Sequence, residues 1–193
     1  MKKIAFFVSG GGTDMQSVLD GITDGSINAE AALVICGKDG IFAIERAKKH
    51  GIPYYVFSKE QYPDVDEKYE RVMEKLEKYG VDFIILAGYL GILNKKFIEK
   101  YRGKIINVHP ALIPKYCGMG FYGMKVHEAV IAAGETESGV TVHFADEGVD
   151  TGEIILQEKV PVYEDDTAET LAMRVLAQEH KTLPKAVAIL CNR

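Results

Sequence analysis

The sequence predicts an α/β protein with a Rossmann-like architecture, in which helices cover both faces of a mostly parallel, twisted sheet of about seven strands. Three observations lead to this prediction. Short apolar runs typical of β-strands alternate with amphipathic helical segments. A glycine-rich turn follows the first apolar run and leads directly into a helix. No repeat, low-complexity tract or Pro/Gly/Ser-rich linker interrupts the alternation, which indicates one domain over residues 1–193.

The alternation assigns the elements in chain order. The predicted strands cover residues 4–8, 31–36, 54–57, 83–87, 104–107, 139–144 and 154–162, and the predicted helices cover residues 14–22, 41–50, 66–79, 95–101, 124–133 and 167–190. Loops 88–91 and 108–122 each follow a predicted strand. Ligands of open α/β sheets bind beyond the carboxyl ends of the strands, near the point where the strand order reverses. We therefore expect the chemistry in these loops.

Composition and charge exclude several classes of function. The net charge of −5 and the pI near 5.6 give no basic surface for nucleic acid or an anionic membrane. The three cysteines, Cys36, Cys117 and Cys191, have no CxxC spacing, so neither a disulfide framework nor a zinc site is predicted. Ser9 interrupts the first apolar run too early for a signal peptide, and stretch 83–93 is well below the roughly 20 residues that span a bilayer. We expect a soluble, cytoplasmic protein.

The glycine-rich turn at residues 10–12 is a candidate anion site, because glycines expose backbone N–H groups at the start of a helix. Thr13 and Gln16 have the spacing of a capping box, which predicts the helix start. There is no P-loop lysine, and Met15 leaves the dinucleotide fingerprint incomplete. A simple tight turn is the alternative. Asp14 would repel a bound phosphate by about 1 to 4 kcal/mol, so it points away or the loop binds something less charged.

The most informative stretch is the N-V-H-P run that begins at Asn107. Pro110 favours an extended His109, and extended residues two apart point the same way, so Asn107 and His109 should lie side by side with Val108 turned to the core. An amide donor beside an imidazole suits an oxyanion in a tetrahedral intermediate. The alternative is a turn asparagine with a structural histidine. His143, on the strand that enters the next loop, is expected to support the site without catalysing.

An acidic loop follows the alternating strand 139–144 and carries three carboxylates, those of Asp146, Glu147 and Asp150. A carboxylate close to His109 would raise the pKa of that histidine and keep it cationic. A solvated acidic turn is the alternative for each of the three. Because no histidines cluster with them, no metal is expected.

The order of these motifs resembles a known family. The runs S-G-G-G-T at 9–13, L-A-G-Y at 86–89, N-V-H-P-A-L-I-P-K at 107–115 and D-T-G at 150–152 together resemble the folate-dependent formyltransferase superfamily. The glycine loop followed by Gln16 resembles its glycinamide ribonucleotide branch. The resemblance runs nearly end to end.

The resemblance implies a formyltransferase fold and an activity. The amine of glycinamide ribonucleotide would attack the formyl carbon of the co-substrate 10-formyltetrahydrofolate, in purine biosynthesis. His109 would stabilise the oxyanion or donate a proton, Asn107 would be a second donor, and Asp150 would orient and charge His109. A phosphate-binding lobe at about 1–100 and a catalytic and folate lobe at about 101–193 would act as a monomer or homodimer on small-molecule substrates.

The resemblance also implies the binding residues. The ribonucleotide would contact Gly12, Thr13, Asp14 and Glu179. The reduced folate would contact Asn107, Asp150 and two segments, formed by Leu90, Gly91, Ile92 and Leu93 and by Ala145, Asp146, Glu147, Gly148 and Val149.

The sequence also departs from the family pattern. Asp14 stands where the family usually has Asn, and Leu176 where it often has Gln. Gly91 stands where the family often has Arg, and no arginine matches the one often found near residue 65. Loop 117–122 is longer than in many relatives.

Two further readings stay open beside this one. The chain could transfer formyl to another amine or hydrolyse formyl-folate, although the hydrolases normally carry an N-terminal regulatory domain that we do not expect here. Enzymes that formylate methionyl-tRNA need a C-terminal RNA-binding domain, which we also do not expect. The other reading is a non-catalytic folate or nucleotide sensor, which predicts binding without turnover.

Overall fold

Seven strands form one sheet in the computed structural model, which describes residues 1–192. The elements in chain order are β1 (Lys2–Val8), α1 (Thr13–Thr23), β2 (Ala29–Cys36), α2 (Phe42–Lys49), β3 (Tyr54–Val56), α3 (Val65–Tyr79), β4 (Phe83–Leu86), α4 (Lys95–Lys100), β5 (Ile105–His109), α5 (Met124–Ala132), β6 (Glu137–Phe144), β7 (Ile154–Pro161) and α6 (Ala168–Cys191). The strand order is β3-β2-β1-β4-β5-β6-β7. Strands β1 to β5 pair in parallel and β6 and β7 are antiparallel. The predicted fold class is confirmed.

The strand order reverses between β1 and β4. From β1 the chain builds outward to β2 and β3, and then returns to place β4 on the other side of β1. The loops that follow β1 and β4 therefore face each other at the carboxyl edge of the sheet. A hydrogen bond from the Leu90 N–H to Ser9 Oγ, 3.0 Å long, joins them.

The core lies on both faces of the sheet, because the central strand alternates between them. Phe6 packs on one face, in a cluster with side chains of α1, α2 and α6, and Phe7 packs on the other, in a cluster with side chains of α3 and α4. Burying one such side chain contributes about 1.5–3 kcal/mol. The site is thus carried by a rigid sheet. No helix within residues 1–192 is long and apolar enough to cross a membrane.

The predicted capping box at the start of α1 is wrong. The N-cap residue is Gly12, which has φ +70° and no side chain to cap the helix, so Thr13 is already the first helical residue. A Cβ at position 12 would lie 2.8 Å from the Ala43 Cβ, which explains why glycine stands there. The Gln16 side chain instead donates to Asp20.

Strand register positions the polar residues of the site. Strand β5 extends through His109, two residues beyond the predicted end, and pairs Asn107 with His143 and His109 with Thr141. Strand β6 pairs with β7 along its other edge. Val142 pairs with Leu156 and His143 pairs with Ile154, so Ile155 is an extra, unpaired residue in β7. Such a β-bulge bends the strand and re-aims its neighbours.

Candidate active site

The amide of Asn107 is fixed by a histidine on the neighbouring strand. Its Nδ2 lies 3.2 Å from Nε2 of His143. The Phe144 carbonyl lies 2.9 Å from Nδ1 of His143 and can only accept, so that nitrogen donates and Nε2 accepts from the amide. His143 therefore orients Asn107, in keeping with the supporting role expected for it.

Asp150 joins Asn107 and His109 into one cluster. Its Oδ1 accepts from Asn107 Nδ2 at 3.4 Å, and its Oδ2 lies 3.5 Å from Nδ1 of His109. The backbone N–H of Gly118 also donates to Oδ2, at 3.1 Å. The carboxylate side chain is only 9% exposed. The backbone has φ +59°, a conformation that Asp and Asn tolerate better than most residues.

The electrostatics of the cluster differ from the expectation. Burial raises the pKa of Asp150, but His143, His109 and the Gly118 N–H together hold it below its ordinary value, so Asp150 is a carboxylate at neutral pH. Burial also lowers the pKa of His109, and this outweighs the opposing effects of the nearby Asp150 and of the Tyr116 carbonyl. The prediction of a cationic His109 is therefore wrong for the free protein.

The segment after β5 covers the imidazole of His109. Nε2 of His109 donates to the carbonyl of Tyr116 at 2.8 Å. Thr141, which pairs with His109 and is fully buried, holds this segment in place. Its Oγ1 donates to the Ala111 carbonyl at 2.7 Å and accepts from the Ile113 N–H at 3.2 Å. These positioning contacts link residues on different elements, so the sequence did not indicate them.

The proposed ribonucleotide residues meet where α1 packs against α6. Gly12, Thr13 and Asp14 open α1, and Oδ1 of Asp14 lies 3.6 Å from Nε2 of His180 on α6. Burial raises the pKa of Asp14, and burial beside Asp14 raises the pKa of Glu179 well above its ordinary value. The Asp14 carboxylate therefore faces α6.

Thr13 also lines a polar cavity of about 490 Å³ between α1 and α6. Arg46 and His180 form part of its wall, and Nε of Arg46 donates to the Gly11 carbonyl at 2.9 Å. The cationic side chain of Arg46 thus lies beside the glycine loop. Anionic groups are stabilised at such a helix N-terminus.

The two segments expected to bind folate border the same apolar cluster. Leu93 and Ala145 both pack against the apolar cluster under α3 and α4. Leu90 and Ile92 are 75% and 83% exposed, so the first segment presents apolar side chains to solvent beside the sheet. In the second segment Asp146 accepts from the Gly148 N–H at 3.0 Å.

The remaining residues of these segments are at the rim. Glu147 pairs with Arg102 at 3.1 Å, Val149 is exposed, and Gly91 lies against the Tyr89 ring.

Among residues 1–192 no group of three or more His, Cys, Asp or Glu side chains is arranged to hold a metal ion.

The comparisons with known proteins agree with the motif order and the fold. Residues 2–187 match the family model described as formyl transferase. The chain is 42% identical over 192 residues to the chloroplastic phosphoribosylglycinamide formyltransferase of Arabidopsis thaliana, covering 99% of this chain and 66% of that protein. It is 40% identical over 187 residues to the phosphoribosylglycinamide formyltransferase of Haemophilus influenzae, covering 97% of this chain and 86% of that protein.

A solved structure shows the same architecture. The phosphoribosylglycinamide formyltransferase from Bacillus halodurans superposes with a TM-score of 0.91 at 36% identity, covering 98% of this chain and 95% of that chain. The motif order, the fold and these matches agree, and the chain belongs to the formyl transferase family.

Proposed function

We propose that this chain transfers a formyl group from 10-formyltetrahydrofolate to the amine of glycinamide ribonucleotide. The observation that carries the proposal is the cluster in which the Asp150 carboxylate lies 3.4 Å from the amide of Asn107 and 3.5 Å from the imidazole of His109. Two neutral donors and one anion suit a reaction that develops negative charge on an oxygen and positive charge on a nitrogen.

The proposed reaction is a direct transfer. The amine nitrogen attacks the formyl carbon, a C–N bond forms, and the carbonyl electrons move to the oxygen. His109 Nε2–H donates to this oxygen. Asn107 Nδ2 turns towards it the N–H group that it gives to Asp150 in the free protein, and keeps its bond to His143. The bond between the formyl carbon and N10 of the folate then breaks, and the proton lost by the amine ends on N10.

Asp150 stabilises the positive charge that this reaction creates. As a buried carboxylate it acts on the nitrogen of the tetrahedral adduct and on His109 whenever that imidazole takes up a proton. In the free protein the Tyr116 carbonyl accepts the Nε2–H of His109. The formyl oxygen would replace this carbonyl, so substrate binding requires the segment around Tyr116 to shift.

We further propose where the substrates bind. The phosphate of the ribonucleotide would lie at Gly12 and Thr13, with Glu179 near its ribose. The reduced folate would lie between the segments 90–93 and 145–149, which border the apolar cluster under α3 and α4. The lobes at about 1–100 and 101–193 would contribute one substrate site each within a single domain that acts in the cytoplasm.

The test is to mix the purified protein with glycinamide ribonucleotide and 10-formyl-5,8-dideazafolate and to follow the deformylated product by absorbance. We expect turnover that requires the ribonucleotide. Formyl loss without the amine would indicate a hydrolase, and folate binding without turnover would indicate a sensor. His109→Ala should lose turnover and stay folded, whereas His50→Ala, at an exposed histidine that contacts Gln16, is the matched control and should remain active.

A further inference from the structure

A row of three polar residues crosses the antiparallel end of the sheet. His109 on β5 pairs with Thr141 on β6, and Thr141 pairs with Gln157 on β7, the edge strand. Directly opposed residues of antiparallel strands have their side chains on the same face. The row therefore leads from the buried imidazole of His109, through the buried hydroxyl of Thr141, to the exposed side chain of Gln157.

The side-chain amide of Gln157 donates two hydrogen bonds. Its Nε2 lies 2.8 Å from Oγ1 of Thr141 and 3.1 Å from the carbonyl oxygen of Ile113. A carbonyl oxygen can only accept, so the NH2 group of the amide is the group that faces Ile113. An NH2 group has two N–H bonds, and these two contacts use both of them.

The amide of Gln157 completes the bonding of the Thr141 hydroxyl. A hydroxyl has one O–H bond that donates and two lone pairs that accept. The lone pairs of Thr141 accept from Gln157 at 2.8 Å and from the Ile113 N–H at 3.2 Å. The O–H bond is therefore directed to the Ala111 carbonyl, which lies 2.7 Å away.

These contacts fix the chain where it leaves β5. The Ile113 N–H donates to Thr141 and the Ile113 carbonyl accepts from Gln157, so side chains of β6 and β7 take the place of a neighbouring strand. In the chain, Ala111 and Ile113 lie between His109 and Tyr116, whose carbonyl accepts from the imidazole. The proposed reaction requires Tyr116 to move while His109 stays in place. A fixed point between the two residues makes this possible.

The residues beyond this fixed point are held by a different part of the protein. Nζ of Lys115 and the Tyr116 hydroxyl donate to Glu135, which lies between α5 and β6, at 2.8 and 2.9 Å. The segment around Tyr116 can therefore leave Glu135 without breaking the bonds that Gln157 and Thr141 make.

We propose that Gln157 is a positioning residue for His109, an inference that rests on the proposed function. Through Thr141 and Ile113 it holds the chain that follows the imidazole while the segment around Tyr116 moves to admit the formyl oxygen. A small misplacement of a catalytic group lowers the rate strongly, because the reacting atoms must be aligned. The loss of the Gln157 amide therefore reduces kcat rather than substrate binding.

The test uses two substitutions of this exposed side chain. Gln157→Met has a similar length and removes both N–H donors. Gln157→Glu keeps the shape and turns acceptor oxygens towards the Ile113 carbonyl. Lys159→Met is the matched control, because Lys159 lies on the same strand and face and donates to the exposed Glu137 at 2.8 Å. Steady-state kinetics with both proposed substrates are combined with NMR of ¹⁵N-labelled histidine.

We expect Gln157→Met to lower kcat by about 5- to 50-fold with the KM of both substrates within about twofold of the parent, and Gln157→Glu to lower kcat at least as much. The Nε2 signal of His109 should change in both variants, because its bond to the Tyr116 carbonyl loosens. The signals of the exposed His50 should stay, and Lys159→Met should match the parent in both measurements.

Three results would overturn the proposal. One is a higher KM at unchanged kcat, which would assign Gln157 to substrate binding. Another is full activity of Gln157→Glu, which would show that the shape of the side chain matters and its N–H donors do not. The third is unfolding of both variants, which would mean that Gln157 supports the sheet rather than the imidazole.

The NMR measurement separates this inference from the proposed function, since it needs no turnover. A changed His109 signal in the Gln157 variants of a protein that shows no formyl transfer would support the positioning role and overturn the transferase. Formyl transfer by the parent, with a His109 signal that is the same in parent and variants, would support the transferase and overturn the role of Gln157.

Discussion

Asp150→Asn removes one negative charge from the cluster and replaces one acceptor oxygen by an NH2 group. The asparagine side chain has the same shape, can still accept from the Gly118 N–H, and tolerates the φ of +59°. We expect the pKa of His109 to fall further below its ordinary value, because the carboxylate 3.5 Å from its Nδ1 is the main favourable partner of the imidazolium.

The size of the effect follows from that distance. At 3.5 Å two unit charges interact with about 5 kcal/mol at an effective dielectric constant near 20 and about 1 kcal/mol at that of water. The pKa of His109 should fall as this attraction is lost. The positive charge of the tetrahedral adduct loses the same stabilisation, so kcat should fall by between about 10-fold and 10³-fold.

The assay is an NMR titration of histidine labelled with ¹³C or ¹⁵N, combined with steady-state kinetics. Asp146→Asn is the control, because Asp146 lies in the same loop but bonds only to the Gly148 N–H and the Thr151 hydroxyl. It should leave the titration of His109 in place. If Asp150→Asn shifts that titration no more than the control does, the electrostatic role of Asp150 is refuted.

Three further changes test the supporting structure. Gly152→Ala should lower the free energy of unfolding by about 1–3 kcal/mol and abolish turnover, because its Cβ would overlap the Phe144 carbonyl oxygen. Thr141→Val should lower the free energy of unfolding by about 1–3 kcal/mol in urea titrations, because the buried groups that bond to its hydroxyl lose their partner. The raised pKa of Glu179 means that its protonated form favours the folded state, so the stabilisation is complete below the unfolded pKa of about 4.3 and is lost as the pH rises towards the folded value. Glu179→Gln should remove this slope, measured as the difference in unfolding free energy from the parent across pH.

Each of these three changes has a matched control. Gly10→Ala places a methyl group where no atom lies within 4 Å and should leave stability unchanged. Thr23→Val removes a hydroxyl bond to the Leu19 carbonyl on a partly buried helix and should have the smaller effect of the two threonine changes. Glu128→Gln alters an exposed carboxylate and should leave the pH slope in place. If a control variant changes the unfolding free energy, or its pH slope, as much as the variant it is matched with, the contacts assigned to Gly152, Thr141 or Glu179 are contradicted.

Local patterns predicted the fold because each element repeats one signal over several residues. The apolar alternation at 139–144 indicated a strand, and β6 spans Glu137–Phe144. The placing of Asn107 beside His109 also followed from local geometry, since extended residues two apart share a face. The binding residues assigned from the resemblance stay predictions.

Other features depend on contacts that the sequence does not encode locally. The capping box at Thr13 was wrong because Gly12 is the N-cap, and Ala43, thirty-one residues further along the chain, leaves no room for a Cβ there. The charge of His109 was wrong because burial comes from packing of the whole segment over the imidazole.

The bulge at Ile155 and the pairing of Asn107 with His143 determine which changes of chain length the protein can accept. One residue inserted within β6 ahead of His143 would turn every later side chain of that strand to the opposite face. The imidazole would then point away from the amide it orients, although the sheet could still form. An insertion between Lys59 and Gln61 would lengthen an exposed turn outside the proposed binding segments. Activity should therefore depend on the register of β6. A library of single-residue insertions should lose activity within β6 and keep it in the exposed turn.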